Sequence, residues 1–141
     1  MKIVAKTDVG MVRESNQDSY TTGELPNGVA WAVVCDGMGG AAGGNVASST
    51  AVKVIAEQIT SSFRPGMSAK SIKNMMVSAI NAANISVYDI SCSNSELYGM
   101  GTTVVCAIVM EHTAYIAHAG DSRAYIVSHG ALNQLTRDHS V

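Results

Sequence analysis

The sequence predicts an α+β fold: two antiparallel β-sheets packed face to face, with an antiparallel pair of helices over one outer face. Two observations carry this. Strand-like runs occupy the first third of the chain, two long segments of helical period the middle, and short apolar runs separated by brief breaks the last third. Strands and helices are thus grouped rather than alternating, which argues against a parallel sheet. Pro65-Gly66 also separates the two helical segments closely enough to turn one back on the other.

Taken in order, residues 2–6 alternate apolar and polar and read as a first strand, and Asp8-Val9-Gly10 turns the chain. Residues 11–20 are polar at their centre. Tyr20-Thr21-Thr22 favours strand. Glu24-Leu25-Pro26-Asn27-Gly28 has hairpin chemistry, so residues 29–36 return beside the preceding strand. That return brings the polar stretches 13–18 and 36–44 to one end of one sheet. Asn45 is an N-cap for a helix over 45–63, in which Ala47, Ala51, Ile55 and Ile59 recur at four-residue intervals beside Val52 and Phe63. Ser68 caps a second helix over 68–93, striped by Ile72, Met76, Ala79, Ile80, Ala83, Val87 and Ile90, with Met75 and Met76 as core residues. A polar loop, 91–98, leads into an antiparallel meander with strands at 102–110, 113–119, 122–127 and 131–135.

With 141 residues the chain forms one domain, 1–141, with a sizeable core. Its net charge of −2 argues against nucleic acid and acidic membrane surfaces as partners. No apolar run is long enough to span a bilayer, and Met1–Lys6 is too short for a signal peptide. Cys35, Cys92 and Cys106 are odd in number and widely spaced, which reads as core residues in a reducing compartment; the cytoplasm is the expected location.

The organising stretch is 31–44. A buried strand ends at Asp36, and Gly37, Gly39, Gly40, Gly43 and Gly44 follow. A charge at the end of a buried strand requires a partner or a metal. Three readings compete. Gly37-x-Gly39-x-x-Ala42 loosely matches a dinucleotide loop, but Asp36 would then set a negative charge beside the pyrophosphate. Asp36 and the Gly37 carbonyl could be hard oxygen ligands of a metal. Asp36 could also be an acid complementing a helix N-terminus.

Six segments together resemble the bacterial form of the type 2C metal-dependent protein serine/threonine phosphatases, the PPM family. They are Thr7-Asp8-Val9-Gly10 through Arg13 to Asn16-Gln17-Asp18, Val34-Cys35-Asp36-Gly37-Met38-Gly39-Gly40, Val46-Ala47-Ser48, Gly101-Thr102-Thr103, Ala119-Gly120-Asp121-Ser122-Arg123-Ala124-Tyr125, and Leu135-Thr136 with Asp138-His139-Ser140. They run in family order across nearly the whole chain. The resemblance implies an α-β-β-α sandwich and hydrolysis of phosphoserine and phosphothreonine monoesters by metal-activated water. It implies two Mn²⁺ or Mg²⁺ ions, with Asp36 bridging both and the Gly37 carbonyl on one. Asp121 would serve a third, weaker site. Arg13 would hold the substrate phosphate through its planar fork, and Asp18 and Gln17 would lie in the second shell. Phosphorylated proteins, and a cognate serine/threonine kinase, are the implied partners.

The chain departs from the family pattern at three points. Gln17 replaces a frequent glutamate, removing one negative charge. Ala41 stands where many bacterial members have a histidine suited to protonating the leaving group, so that role is unassigned; His112, His118, His129 and His139 read as structural or exposed. The family also continues past the Asp-His-Ser motif with further strands and two more metal-binding aspartates, whereas the sequence stops at Val141. The chain therefore reads as the N-terminal part of a catalytic domain, truncated on its C-terminal side. By itself it is expected to be inactive and to self-associate. The alternative reading is a non-catalytic phosphatase-like module that binds a partner or a phosphopeptide.

Overall fold

The computed structural model describes residues 1–140, and the side chain of Ala41 lies outside what it describes. The fold is α+β, with two helices and antiparallel sheets. Strands β1 (Asp18–Leu25) and β2 (Val29–Met38) are joined by a short 3-10 turn, Pro26–Gly28. Helices α1 (Gly40–Ser62) and α2 (Ala69–Ser93) follow. Then come β3 (Gly101–Thr102), β4 (Val104–Met110), β5 (Thr113–Ala119), β6 (Tyr125–Ser128) and β7 (Ala131–Gln134). The main sheet has the order β1-β2-β4-β5, with β3 also on β2, and β6 pairs β7 separately.

Strand alternation decides which face carries the core. Trp31, Val33 and Cys35 of β2 and Val104, Cys106 and Ile108 of β4 are buried in one cluster with the helices. From α1 come Ala47, Ala51, Ile55 and Ile59, and from α2 come Ile72, Met75, Met76, Ala79, Ala83 and Val87. Ser68 caps α2 as expected, its side chain accepting from the Ser71 amide at 3.1 Å. Arg64 ends α1, donating to the Ser61 and Phe63 carbonyls at 2.9 and 2.7 Å.

Several expectations are corrected. Residues 2–6 form no strand. They are exposed and lie along the outer face of β1 and β2, beside Tyr20, Thr22, Ala32 and Val34. A strand needs a hydrogen-bonded neighbour, and among the described residues this segment has none. Helix α1 starts five residues before the expected Asn45 cap, from Gly39 at φ +118°. Tertiary packing there overrides the low helix propensity of glycine, because only glycines allow the close approaches described below. The expected strand 102–110 breaks at Thr103. The meander also leaves the main sheet at Gly120, so residues 122–124 are not strand and the second sheet among the described residues is the exposed β6–β7 hairpin. Cys92 is exposed, unlike Cys35 and Cys106.

Candidate functional site

The β1–β2 register sets Asp18 directly opposite Asp36, so the two carboxylates share one face at one end of the sheet. Like charges in that position repel unless a cation lies between or beside them. Asp36 is exposed, yet partial desolvation at the end of the sheet pushes its carboxyl above the usual carboxylate range. A hydrogen bond with Asp18 and the charges of Asp18 and Asp121 push the same way, against the opposing charge of Arg13.

The loop before β1 folds over this end. The Asn16 side chain accepts from the Asp18 amide at 3.0 Å and donates to Thr7 Oγ1 at 2.7 Å, while Asp8 accepts from the Gly10 amide at 2.7 Å. The result is a depression of about 200 Å³ lined by Asp8, Val9, Arg13, Ser15, Asn16, Gln17, Asp18 and Asp36. Arg13 is the one cation in that lining. It also borders the adjoining hollow formed with Gln17, Gly37, Met38, Gly39 and Gly40. Arg13 thus stands between the paired carboxylates and the glycine loop.

Gln17 is engaged with the glycine loop. Its carbonyl accepts from the Gly37 amide at 3.1 Å, and its side-chain amide donates to the Gly40 carbonyl. A Cβ at Gly44 would lie 2.5 Å from Gln17 Oε1, and one at Gly37 only 1.9 Å from the Gly44 carbonyl oxygen. Glycine at these positions lets the end of β2, the start of α1 and the Gln17 side chain occupy one small volume. Gln17, expected from the sequence to tune charge, is placed by its contacts to hold the glycine loop.

Asp121 lies on the exposed turn after β5. Around it, the His139 amide donates to the Gly120 carbonyl at 2.9 Å, and the His118 and His139 rings stack with centroids 4.4 Å apart. Arg123 is taken up by Asp138 in two hydrogen bonds of 2.9 and 2.7 Å. None of the four histidines lines the carboxylate depression.

A donor set of carboxylates and backbone carbonyls, without sulfur or imidazole, fits a hard divalent ion. Among the described residues, no three His, Cys, Asp or Glu side chains converge closely enough to hold an ion together. An ion at Asp36 would therefore keep several waters.

Sequence reasoning gave no role to Thr103, Asn16 or Gly44. Neither Thr103 nor Gly44 carried a distinct signal: Thr103 follows another threonine at the start of an apolar run, and Gly44 stands among other glycines just before the expected start of the helix at Asn45.

A sequence model described as Protein phosphatase 2C matches residues 12–141. A putative protein phosphatase 2C-type of Streptococcus pyogenes is 36% identical over 141 residues, covering 100% of this chain and 56% of that protein. The solved serine/threonine phosphatase of S. agalactiae superposes with a TM-score of 0.86 at 32% identity, over 96% of this chain and 55% of that one. The catalytic domain of the serine threonine protein phosphatase PstP, solved in complex with two manganese ions, does so with a TM-score of 0.77 at 30% identity, over 94% and 54%. The chain thus spans about half the length of these relatives.

Proposed function

This chain belongs to the protein phosphatase 2C family, and we propose that it carries the N-terminal portion of the active site of a metal-dependent serine/threonine phosphatase acting on phosphorylated proteins. The observation that carries the proposal is the pairing of Asp18 with Asp36 beside a single cation, Arg13, in one small depression.

Asp36, with the Gly37 carbonyl, would hold Mn²⁺ or Mg²⁺. The manganese in the PstP structure favours the former. Divalent ions in such a centre supply Lewis acidity and lower the pKa of water. Asp18, opposite Asp36, accepts a proton or orients water at the same end of the sheet. Arg13 presents its guanidinium to the substrate phosphate and lowers the repulsion between that dianion and the carboxylates. Gln17 keeps the Gly37–Gly40 backbone against the site. Asp121 adds charge from the β5 side and suits a weaker, more hydrated ion.

The test is release of phosphate from a phosphothreonine peptide by the chain extended to its relatives' length. Turnover that requires Mn²⁺, stops in excess chelator and is largely lost in Asp36→Asn supports the reading. Turnover in chelator, or an unimpaired Asp36→Asn enzyme, refutes it. The sparse ligand set at Asp36, with no three side-chain ligands converging among the described residues, favours a second reading for this stretch taken alone. In that reading it forms a phosphatase-like module that binds phosphopeptide without turnover.

A further inference from the structure

We propose that Thr103 is a positioning residue that fixes the Asp36 end of β2 and the Asp121 turn at one separation; the inference rests on the phosphatase reading above only for its catalytic consequence. Thr103 is buried, 4% exposed, and falls in the gap between β3 and β4. Its main chain and side chain both close on Asp36. The Thr103 amide donates to the Asp36 carbonyl at 2.9 Å, and the Asp36 amide donates to Thr103 Oγ1 at 3.0 Å. The same hydroxyl lies 2.6 Å from Ser122 Oγ, next to Asp121.

These hydrogen bonds run in one direction. Thr103 Oγ1 already accepts from Asp36, and its own hydrogen, in a buried position, needs an acceptor. Ser122 Oγ supplies one, so the bonds run from the Asp36 amide through Thr103 to Ser122. The methyl group is used as well. Gly120, at φ +101°, seats its Cα on the Thr103 side chain so closely that a Cβ there would lie 2.8 Å from Thr103 Cγ2. One side chain therefore contacts both acidic stations, with its hydroxyl on the Asp36 backbone and on Ser122, and its methyl under Gly120. Serine lacks the seat, and valine lacks the bonds.

The test compares wild type, Thr103→Val and Thr103→Ser in the chain extended to its relatives' length. Three readouts are used: amide hydrogen exchange without metal, Mn²⁺ affinity by calorimetry, and kcat and KM on a phosphothreonine peptide. Valine keeps the methyl but leaves the Asp36 amide unpaired. It should speed exchange at Asp36 about ten-fold and weaken Mn²⁺ binding about ten-fold, lowering kcat with little change in KM. Serine should restore exchange protection at Asp36. A valine variant with wild-type exchange and Mn²⁺ affinity overturns the proposal, as does a serine variant as impaired as valine. If the valine variant does not fold, Ser122→Ala, which takes the acceptor from the Thr103 hydroxyl and leaves the Asp36 amide paired, decides by Mn²⁺ affinity: a several-fold loss supports the proposal and wild-type affinity overturns it. Absence of phosphatase activity in wild type would overturn the reading of function, while the exchange result would still decide the role of Thr103.

Discussion

Gly37→Ala should damage this protein far more than the loss of one hydrogen atom suggests. The added Cβ would sit 1.9 Å from the Gly44 carbonyl oxygen, 2.5 Å from its carbon and 2.8 Å from its Cα. Ordinary contact begins near 3.4 Å, so the closest pair falls about 1.5 Å short. All three atoms are backbone, and no rotamer change relieves them. The end of β2 must part from the start of α1, which also carries Gly37 away from the Gln17 carbonyl at 3.1 Å. Overpacking of well-packed sites costs about 1–3 kcal/mol, and a backbone-to-backbone clash belongs at the top of that range. At about 3 kcal/mol the melting temperature should fall by roughly 10 °C. Gly66→Ala is the control: it has φ +84° and open space around it, so it should cost only the left-handed penalty of about 1–2 kcal/mol. Calorimetric melting of both variants gives the comparison. A Gly37→Ala protein as stable as Gly66→Ala, with wild-type Mn²⁺ affinity, would refute the tight β2–α1 contact.

Other outcomes follow from the same geometry. The raised pKa of Asp36 means that, from the ordinary carboxylate range upward, the folded chain holds a proton the unfolded chain has lost, so its contribution to stability falls as pH rises through that window. Without metal at pH 7, Asp36→Asn should therefore melt above wild type, by no more than about 1 kcal/mol after solvent screening, with the gap closing near pH 4; a variant less stable than wild type in chelator contradicts this. Arg13→Ala should raise KM for a phosphopeptide and leave Mn²⁺ affinity unchanged, whereas altered metal affinity with unchanged kinetics would make Arg13 a structural ion-pair partner. Burial pushes the Cys35 and Cys106 thiols up to about 12, so at pH 8 a thiol reagent should label Cys92 alone at speed; three fast equivalents would contradict the buried placement. The 141-residue chain should self-associate through exposed apolar side chains such as Val34, Val127 and Leu132, and a clean monomer in light scattering would refute that.

The main elements were legible in the sequence because their signals are local. The Ser68 cap and four-residue stripe define α2, and the Asn27-Gly28 turn defines the β1–β2 pair that sets Asp18 beside Asp36. Where the sequence misled, the deciding partner lies far along the chain. Residues 2–6 alternate like a strand but, among the described residues, have no strand to pair with. Gly40, Gly43 and Gly44 read as loop yet are helical, because Gly37 and Gln17 pack on that turn. The break at Thr103 depends on Asp36 and Ser122, which are 67 and 19 residues away in sequence. Asp36 could be singled out from its strand-end position, whereas the hold of Gln17 on Gly40 could not.

Titration of Mn²⁺ followed by water-proton relaxation asks whether the Asp18–Asp36 end of the sheet holds a divalent metal. Wild type, Asp36→Asn and Arg13→Ala would be compared in the chain extended to its relatives' length. Asp36→Asn should lose at least about ten-fold in affinity, while Arg13→Ala should bind like wild type. Equal binding by wild type and Asp36→Asn would contradict a metal centre at Asp36.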